Sequence, residues 1–81
     1  QVEKMDFIIY PNPASDILNI KSDAPIHSFE MYDALGRLVL NKTKLFGTES
    51  TMDVSSLTHG IYFIKLRTIS GTVDYKVVIN N

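Results

Sequence analysis

The chain has 81 residues, a formal net charge of -1 and no cysteine. That length supports one small domain, and the near-neutral charge offers no basic surface for nucleic acid or an anionic membrane. The absence of cysteine excludes disulfides and thiolate zinc sites, and no apolar run approaches the ~20 residues that a membrane-spanning helix needs. We therefore expect no nucleic-acid partner and no direct membrane insertion.

Short apolar runs separated by turn signals, spaced roughly every 8–12 residues, predict a β-sandwich without a helix beyond a single turn at residues 55–57. Residues 1–5 are interpreted as a linker and residues 6–81 as the domain. The predicted strands, in chain order, are residues 7–10, 17–21, 26–32, 37–43, 51–54, 60–67 and 73–79. Pro11, Asn12 and Pro13 end the first strand, because proline has no amide hydrogen to contribute to a ladder. The sequence thus predicts an all-β fold, an antiparallel sandwich of about seven strands.

Two tight hairpins are predicted. In the first, the Asp33 carboxylate can accept hydrogen bonds from the turn backbone, and Gly36 can adopt the left-handed conformation that closes the loop with a bulge. The second joins the last two strands, with the break at Ser70 and Gly71. A longer connection begins at Phe46. Each hairpin places two consecutive strands side by side in one sheet.

The last two strands alternate so that each has two different faces, and the denser apolar face is assigned to the core. The residues on that face are Tyr62, Ile64, Leu66, Val73, Tyr75, Val77 and Ile79. The opposite face carries Ile61, Phe63, Lys65, Arg67, Asp74, Lys76 and Val78. Outward apolar side chains beside lysines form a candidate binding surface, whereas the alternative is that single exposed apolar residues need no function.

A corner precedes the penultimate strand, where Leu57 is followed by Gly60 and Tyr62. Immunoglobulin-like sandwiches often place a tyrosine at this position, with its hydroxyl bonded to nearby backbone. The alternative is that Tyr62 is an ordinary half-buried strand aromatic. Both interpretations assign Tyr62 to the fold and not to a reaction.

No residue pattern predicts catalysis, a metal site or a cofactor. His27 and His59 lie far apart, and the scattered aspartates are best explained as turn caps and polar strand ends. The serines near Asp16 and His59 have no nucleophile elbow around them, and no glycine-rich loop opens a helix. We therefore expect that the chain is not an enzyme.

Three segments, in this order, resemble the C-terminal sorting domain of cargo proteins of the type IX secretion system of Bacteroidetes bacteria. They are YPNP with DILNI within residues 10–20, MYDALGRLV at residues 31–39, and DVSSLTHGIYFIKL at residues 53–66. The resemblance extends over nearly the whole chain, from Phe7 to Ile79. It implies an immunoglobulin-like β-sandwich at the C-terminus of a larger secreted protein.

The resemblance also implies a route. A separate signal peptide brings the upstream passenger to the periplasm, and the sorting domain then directs it through the type IX outer-membrane translocon. A sortase-like cell-surface peptidase commonly removes the domain, which leaves the passenger on the cell surface or secreted. The implied partners are the translocon, this peptidase and the passenger domain.

By position, the resemblance places Pro11 and Pro13 on its first motif, Asp33 and Gly36 on the hairpin motif, Gly60 and Tyr62 on the third, and Lys76 on the basic position of the last strand. Structural roles are predicted for Pro11, Asn12, Pro13, Asp33, Gly36 and Leu57. Translocon recognition is predicted for Gly60, Ile61, Tyr62, Phe63, Lys65, Lys76 and Val78. The export signal is placed within residues 60–81, although many members carry a lysine or arginine in the tail where this sequence has Ile79, Asn80 and Asn81. The edge and terminal strands are expected to offer unpaired backbone groups to a receptor.

A second interpretation is an immunoglobulin-like accessory module, for adhesion or carbohydrate binding, that remains on the mature protein. Sugar-binding modules usually display a platform of exposed aromatic residues. The chain has no tryptophan, and several of its tyrosines and phenylalanines are predicted to point inward. The composition therefore favours the sorting domain.

Overall fold

The structure, a computed structural model, describes residues 7–43 and 47–80. Within these ranges every regular element is a strand. The strands are β1 (Phe7–Tyr10), β2 (Ile17–Ser22), β3 (Ile26–Asp33), β4 (Leu38–Lys42), β5 (Glu49–Asp53), β6 (Gly60–Thr68) and β7 (Gly71–Ile79). They form a three-stranded sheet in the order β1-β2-β5 and a four-stranded sheet in the order β4-β3-β6-β7, with antiparallel pairing throughout. This confirms the predicted all-β sandwich of seven strands.

The strand ends differ from the prediction by one or two residues: β4 is shorter than predicted at both ends and β5 ends one residue earlier, whereas pairing extends other strands. Thr68 pairs with Gly71, so the last hairpin turns at Ile69 and Ser70 and its strands are longer than predicted. Gly71 has a φ of 136°, a conformation that glycine adopts without steric cost. β5 begins at Glu49 because that residue pairs with Lys21 of β2, a contact between segments far apart in sequence.

The remaining predictions concern the segments between strands. Residues 55–57, where a single helical turn was the most that the sequence allowed, form a simple turn, which the Leu57 amide closes by donating to the Val54 carbonyl at 3.1 Å. The predicted linker of residues 1–5 and the connection beginning at Phe46 lie outside the described residues. The assignment of residues 6–81 to one domain stays a prediction.

The core lies between the two sheets and is built from alternate residues of the strands. Among the described residues, fourteen apolar side chains are buried there. They are Ile9, Ala14, Leu18, Ile20, Ile26, Phe29, Met31, Met52, Val54, Tyr62, Ile64, Leu66, Val77 and Ile79. Val73 and Tyr75, also predicted to face inward, are half-buried against this cluster. Burial of each large apolar side chain contributes about 1.5–3 kcal/mol to stability. Together these contributions offset the conformational entropy that the chain loses on folding.

The corner before β6 is held by Tyr62. This residue is 5% exposed, and its hydroxyl donates to the Thr58 carbonyl at 2.7 Å. The Thr58 hydroxyl lies 3.2 Å from the hydroxyl oxygen of Tyr62. Leu57 is half-buried and packs against the core from this corner. Of the two interpretations of Tyr62, the tyrosine corner is the one that the structure confirms.

We expect that Tyr62→Phe lowers the free energy of unfolding by about 1 kcal/mol, because it removes the hydroxyl that bonds to both the Thr58 carbonyl and the Thr58 hydroxyl. Urea unfolding followed by circular dichroism measures the change. Tyr32→Phe is the matched control, because it removes a hydroxyl from the exposed side of the same sheet. Equal unfolding midpoints for wild type and Tyr62→Phe would show that the Tyr62 hydroxyl does not contribute to the stability of the folded chain.

Candidate recognition surface

The outward face of the four-stranded sheet is assembled by pairing in register. Residues that pair directly across antiparallel strands point to the same side of a sheet. One row across all four strands therefore consists of Leu38, Tyr32, Phe63 and Lys76. Beside it, Ile61 of β6 pairs with Val78 of β7. The sheet thus collects apolar residues from four strands on one outer surface.

We call Leu38, Tyr32, Ile61, Phe63 and Val78 the outer patch. Leu38 is 52%, Ile61 46% and Phe63 43% exposed, while Tyr32 and Val78 are half-buried. The predicted outward orientation of Ile61 and Phe63 is therefore confirmed. Tyr32 and Leu38 were not predicted to belong to this surface. Tyr32 could have been found, since it alternates with the buried Met31, whereas Leu38 reaches this face through a register shift beside Met31 and Tyr32.

A row of polar residues flanks the outer patch. It consists of Asn41, Glu30, Lys65 and Asp74, again one from each strand. Lys65 therefore stands between two acidic residues, which balance its charge. Lys76 instead stands opposite Phe63, next to the apolar row. Of the two lysines predicted for recognition, Lys76 is the one placed at the patch itself.

Glu30 connects the polar row to the patch. Its Oε1 accepts a hydrogen bond from the Tyr32 hydroxyl at 3.0 Å and lies 3.3 Å from Arg67 Nη2. The bond from Tyr32, followed by the interactions with Arg67, lowers the pKa of Glu30, and the bond to Glu30 raises the pKa of Tyr32. These contacts hold the Tyr32 ring in place on the outer face.

The β3–β4 turn lies at the end of the sheet next to Leu38 and Tyr32, and its hydrogen bonds are those predicted from the sequence. Asp33 Oδ1 accepts from the amides of Leu35 and Arg37, both at 2.9 Å. Asp33 Oδ2 pairs with Arg37 Nε at 2.8 Å. Gly36 has a φ of 85°, the left-handed conformation predicted for it. The amide of Arg37 is the main reason that the pKa of Asp33 lies below its ordinary value.

This lowered pKa predicts a pH dependence. A carboxyl whose pKa is lower in the folded chain stabilises it above the ordinary value of 3.8, and that contribution is lost as the pH falls through the folded pKa. We therefore expect Asp33→Asn to be less stable than wild type at about pH 6, with the difference shrinking as the pH falls below 3.8. Urea midpoints across this range measure it. Asp23→Asn, in the exposed β2–β3 turn, is the control; a pH-independent difference for Asp33→Asn would contradict the assignment.

A groove of about 440 Å³ lies between this turn and the corner before β6. The β3–β4 turn contributes residues from Asp33 to Arg37, and the corner contributes residues from Ser56 to Tyr62. Two of the three motif segments therefore meet at one end of the sandwich. Gly60 lies in the groove wall at the start of β6, beside the outer patch residue Ile61.

The first motif lies on the free edge of β7. Asn12 Oδ1 accepts from the Val78 amide at 3.0 Å, and Asn12 Nδ2 donates to the Lys76 carbonyl at 3.4 Å. Ala14 continues the contact, since its amide donates to the Val78 carbonyl at 2.9 Å and its carbonyl accepts from the Asn80 amide at 2.8 Å. The terminal strand was expected to offer unpaired backbone groups. That expectation is wrong for the Lys76 carbonyl, the Val78 amide and carbonyl and the Asn80 amide, because these groups are bonded to residues 12–14.

The predicted site residues thus occupy different environments. Ile61, Phe63, Lys76 and Val78 lie together at the outer patch, and Lys65 lies in the adjacent polar row. Tyr62 is buried, so its role in recognition stays a prediction and any effect must pass through the corner. Pro11 and Pro13 are exposed on either side of Asn12, and both of their preceding peptide bonds are cis.

Among residues 7–43 and 47–80, no group of three or more histidine or acidic side chains is placed to hold a metal ion. The described residues also contain no helix with the length and hydrophobicity to cross a membrane.

Comparisons with known proteins agree with one another. The family described as secretion system C-terminal sorting domain matches residues 8–80. The β-agarase D of Zobellia galactanivorans is 36% identical over 73 residues, which make up 89% of this chain and 14% of that protein. The chain therefore spans about a seventh of the length of this curated relative.

Proposed function

Since the chain belongs to the secretion system C-terminal sorting domain family, we propose that the outer patch is the surface through which the type IX translocon recognises it. As a member of that family, the chain is a sorting domain of the type IX system, and it belongs to a secreted or cell-surface protein. What the proposal adds is the location of the recognised surface. Recognition of this kind needs a folded face and no catalytic residue.

The observation that carries the proposal is the contrast between the two outward faces. On the three-stranded sheet each exposed apolar residue pairs with a polar one: Ile8 with Lys21, Tyr10 with Asn19, and Ile17 with Asp53. On the four-stranded sheet apolar residues pair with one another, Leu38 with Tyr32, Tyr32 with Phe63, and Ile61 with Val78. A contiguous exposed apolar area rimmed by polar residues marks an interaction site.

The charges around the patch indicate the chemistry of the partner. Lys76 adjoins Phe63, whereas Lys65 is balanced by Glu30 and Asp74 on its two neighbouring strands. A matching surface on the translocon has an apolar centre and an acidic group facing Lys76. Lys76 is therefore assigned the larger share of the charge-dependent recognition.

We propose that the rest of the route is the one that the resemblance to type IX cargo proteins implies. An upstream passenger, brought to the periplasm by its own signal peptide, is carried across the outer membrane when the translocon binds this domain. A sortase-like cell-surface peptidase then removes the domain, and the passenger stays on the surface or is released. The domain itself catalyses no step.

Fusing residues 1–81 behind a reporter with a periplasmic signal peptide tests the function in a host that has a type IX system. The reporter is expected in the medium of the wild-type host and in the periplasm of a host without the translocon. A reporter that stays in the periplasm of both hosts would refute export and favour an accessory module that remains on the mature protein.

A further inference from the structure

Another part of the chain covers about half of the free edge of β7, the half nearer the end of that strand. We call residues 12–14 the strap. The Asn12 side-chain amide accepts from the Val78 amide and donates to the Lys76 carbonyl, as a peptide group of a neighbouring strand would. Ala14, which is fully buried, bonds with the backbone of Val78 and Asn80 and forms a parallel bridge with Ile79. The strap thus replaces a missing fifth strand.

The contacts of the strap identify which backbone groups of β7 point away from β6. In a strand, alternate residues direct both their amide and their carbonyl to the same edge. Lys76 and Val78 face the strap, so Thr72 and Asp74 face the same edge at the other end of β7. This uncovered stretch is short, and a ladder of so few residues is marginal in water. The strap therefore determines whether the edge is long enough to pair.

The sequence of β7 is complementary to itself at this edge. In an antiparallel pairing of two copies related by a two-fold axis at Tyr75, Asp74 of one copy lies opposite Lys76 of the other, and this occurs twice. Thr72 then lies opposite Val78, and the residues that face each other are those whose backbone groups point outward. Moving the two-fold axis from Tyr75 to Asp74 instead places Asp74 of one copy opposite Asp74 of the other, which is unfavourable because like charges repel.

We infer that the strap masks a self-pairing site, so that opening it allows two copies of this chain to join through β7 into a continuous eight-stranded sheet. Long unprotected edges pair with other chains, and proteins cover or charge them to prevent it. In this domain the cover is supplied by the first motif, whose asparagine acts as a surrogate for strand backbone. This role of the strap is independent of how the translocon recognises the outer patch.

The first test is Asn12→Ala, which removes both side-chain bonds to β7. Wild type is expected to be a monomer in sedimentation velocity between about 10 µM and 1 mM, and Asn12→Ala to form a dimer whose fraction rises with concentration. In dilute, monomeric Asn12→Ala, hydrogen exchange at the Val78 amide should be about tenfold faster than in wild type. The matched control is Asn19→Ala, which also removes an asparagine bond to a backbone carbonyl, that of Tyr10, away from β7.

A charge exchange tests the register. Adding Asp74→Lys to Asn12→Ala places lysine opposite lysine and is expected to abolish the dimer, and adding Lys76→Asp as well should restore it. Circular dichroism confirms folding, and Asn12→Leu, which has a similar size but cannot make either bond, replaces Asn12→Ala if the latter is unfolded. A variant that is folded and monomeric at every concentration despite faster Val78 exchange would overturn the inference. So would a dimer that is insensitive to the charge exchange.

Discussion

Phe63→Asp is expected to reduce secretion of a fused reporter about tenfold or more while the domain remains folded. Phe63 lies at the centre of the outer patch, between Tyr32 on β3 and Lys76 on β7. A carboxylate there removes the largest exposed apolar side chain of β6 and introduces a charge that must be desolvated on binding. The reporter in the medium and in the periplasm is quantified in the same culture.

Ile8→Asp is the matched control for this prediction. Ile8 is 56% exposed and Phe63 43%, and each lies opposite a lysine of the neighbouring strand, but Ile8 belongs to the other sheet. Both variants should keep the wild-type circular dichroism spectrum. Similar secretion of Phe63→Asp and wild type, or an equal loss in Ile8→Asp, would contradict recognition through the four-stranded sheet.

Phe29→Ala is expected to lower the free energy of unfolding by about 3–5 kcal/mol, the largest effect among these substitutions. Phe29 is fully buried in the middle of β3, where removal of the ring leaves a cavity that neighbouring strands cannot fill. Small domains have total stabilities at the lower end of about 5–15 kcal/mol, so most of the margin disappears. Urea unfolding of the isolated domain measures the loss.

The same substitution distinguishes a folded signal from a linear one. The outer patch exists only when β4, β3, β6 and β7 are paired, so Phe29→Ala should also reduce secretion, although residues 60–81 are unchanged. Phe29→Leu, which keeps most of the volume, should retain both stability and secretion to a larger extent. Efficient secretion of an unfolded Phe29→Ala domain would show that the translocon reads the sequence of the last strands and not their folded face.

Local chemistry made part of the fold predictable. The positions of the strands follow from alternating β-branched and aromatic residues, and proline and glycine mark where the strands end. Asp33 and Gly36 act within five residues of each other, so the turn that they form could be predicted without knowledge of the rest of the chain. The corner at Tyr62 is also local, since its bond to Thr58 spans four residues.

Strand pairing outside the two hairpins, and the exact register, depend on contacts between segments far apart in sequence. The bond between Asn12 and Val78 joins residues 66 positions apart, and Asn12 was assigned only a structural role. Leu38 reaches the outer face through a register shift, which strict alternation would not predict. The inward and outward faces of β6 were predicted. The residues that surround Phe63 in the outer patch, however, lie mainly on other strands, so the patch was not predicted as a whole.

The sequence by itself determined the strands, their turns and the inward or outward side of most residues, because those features depend on propensity, backbone conformation and a two-residue period. Only the tertiary structure decided that β7 is covered by the strap and that apolar residues of four strands adjoin on one face. Those features depend on which strands pair and in which register, and pairing between distant segments is selected by the packing of the whole core.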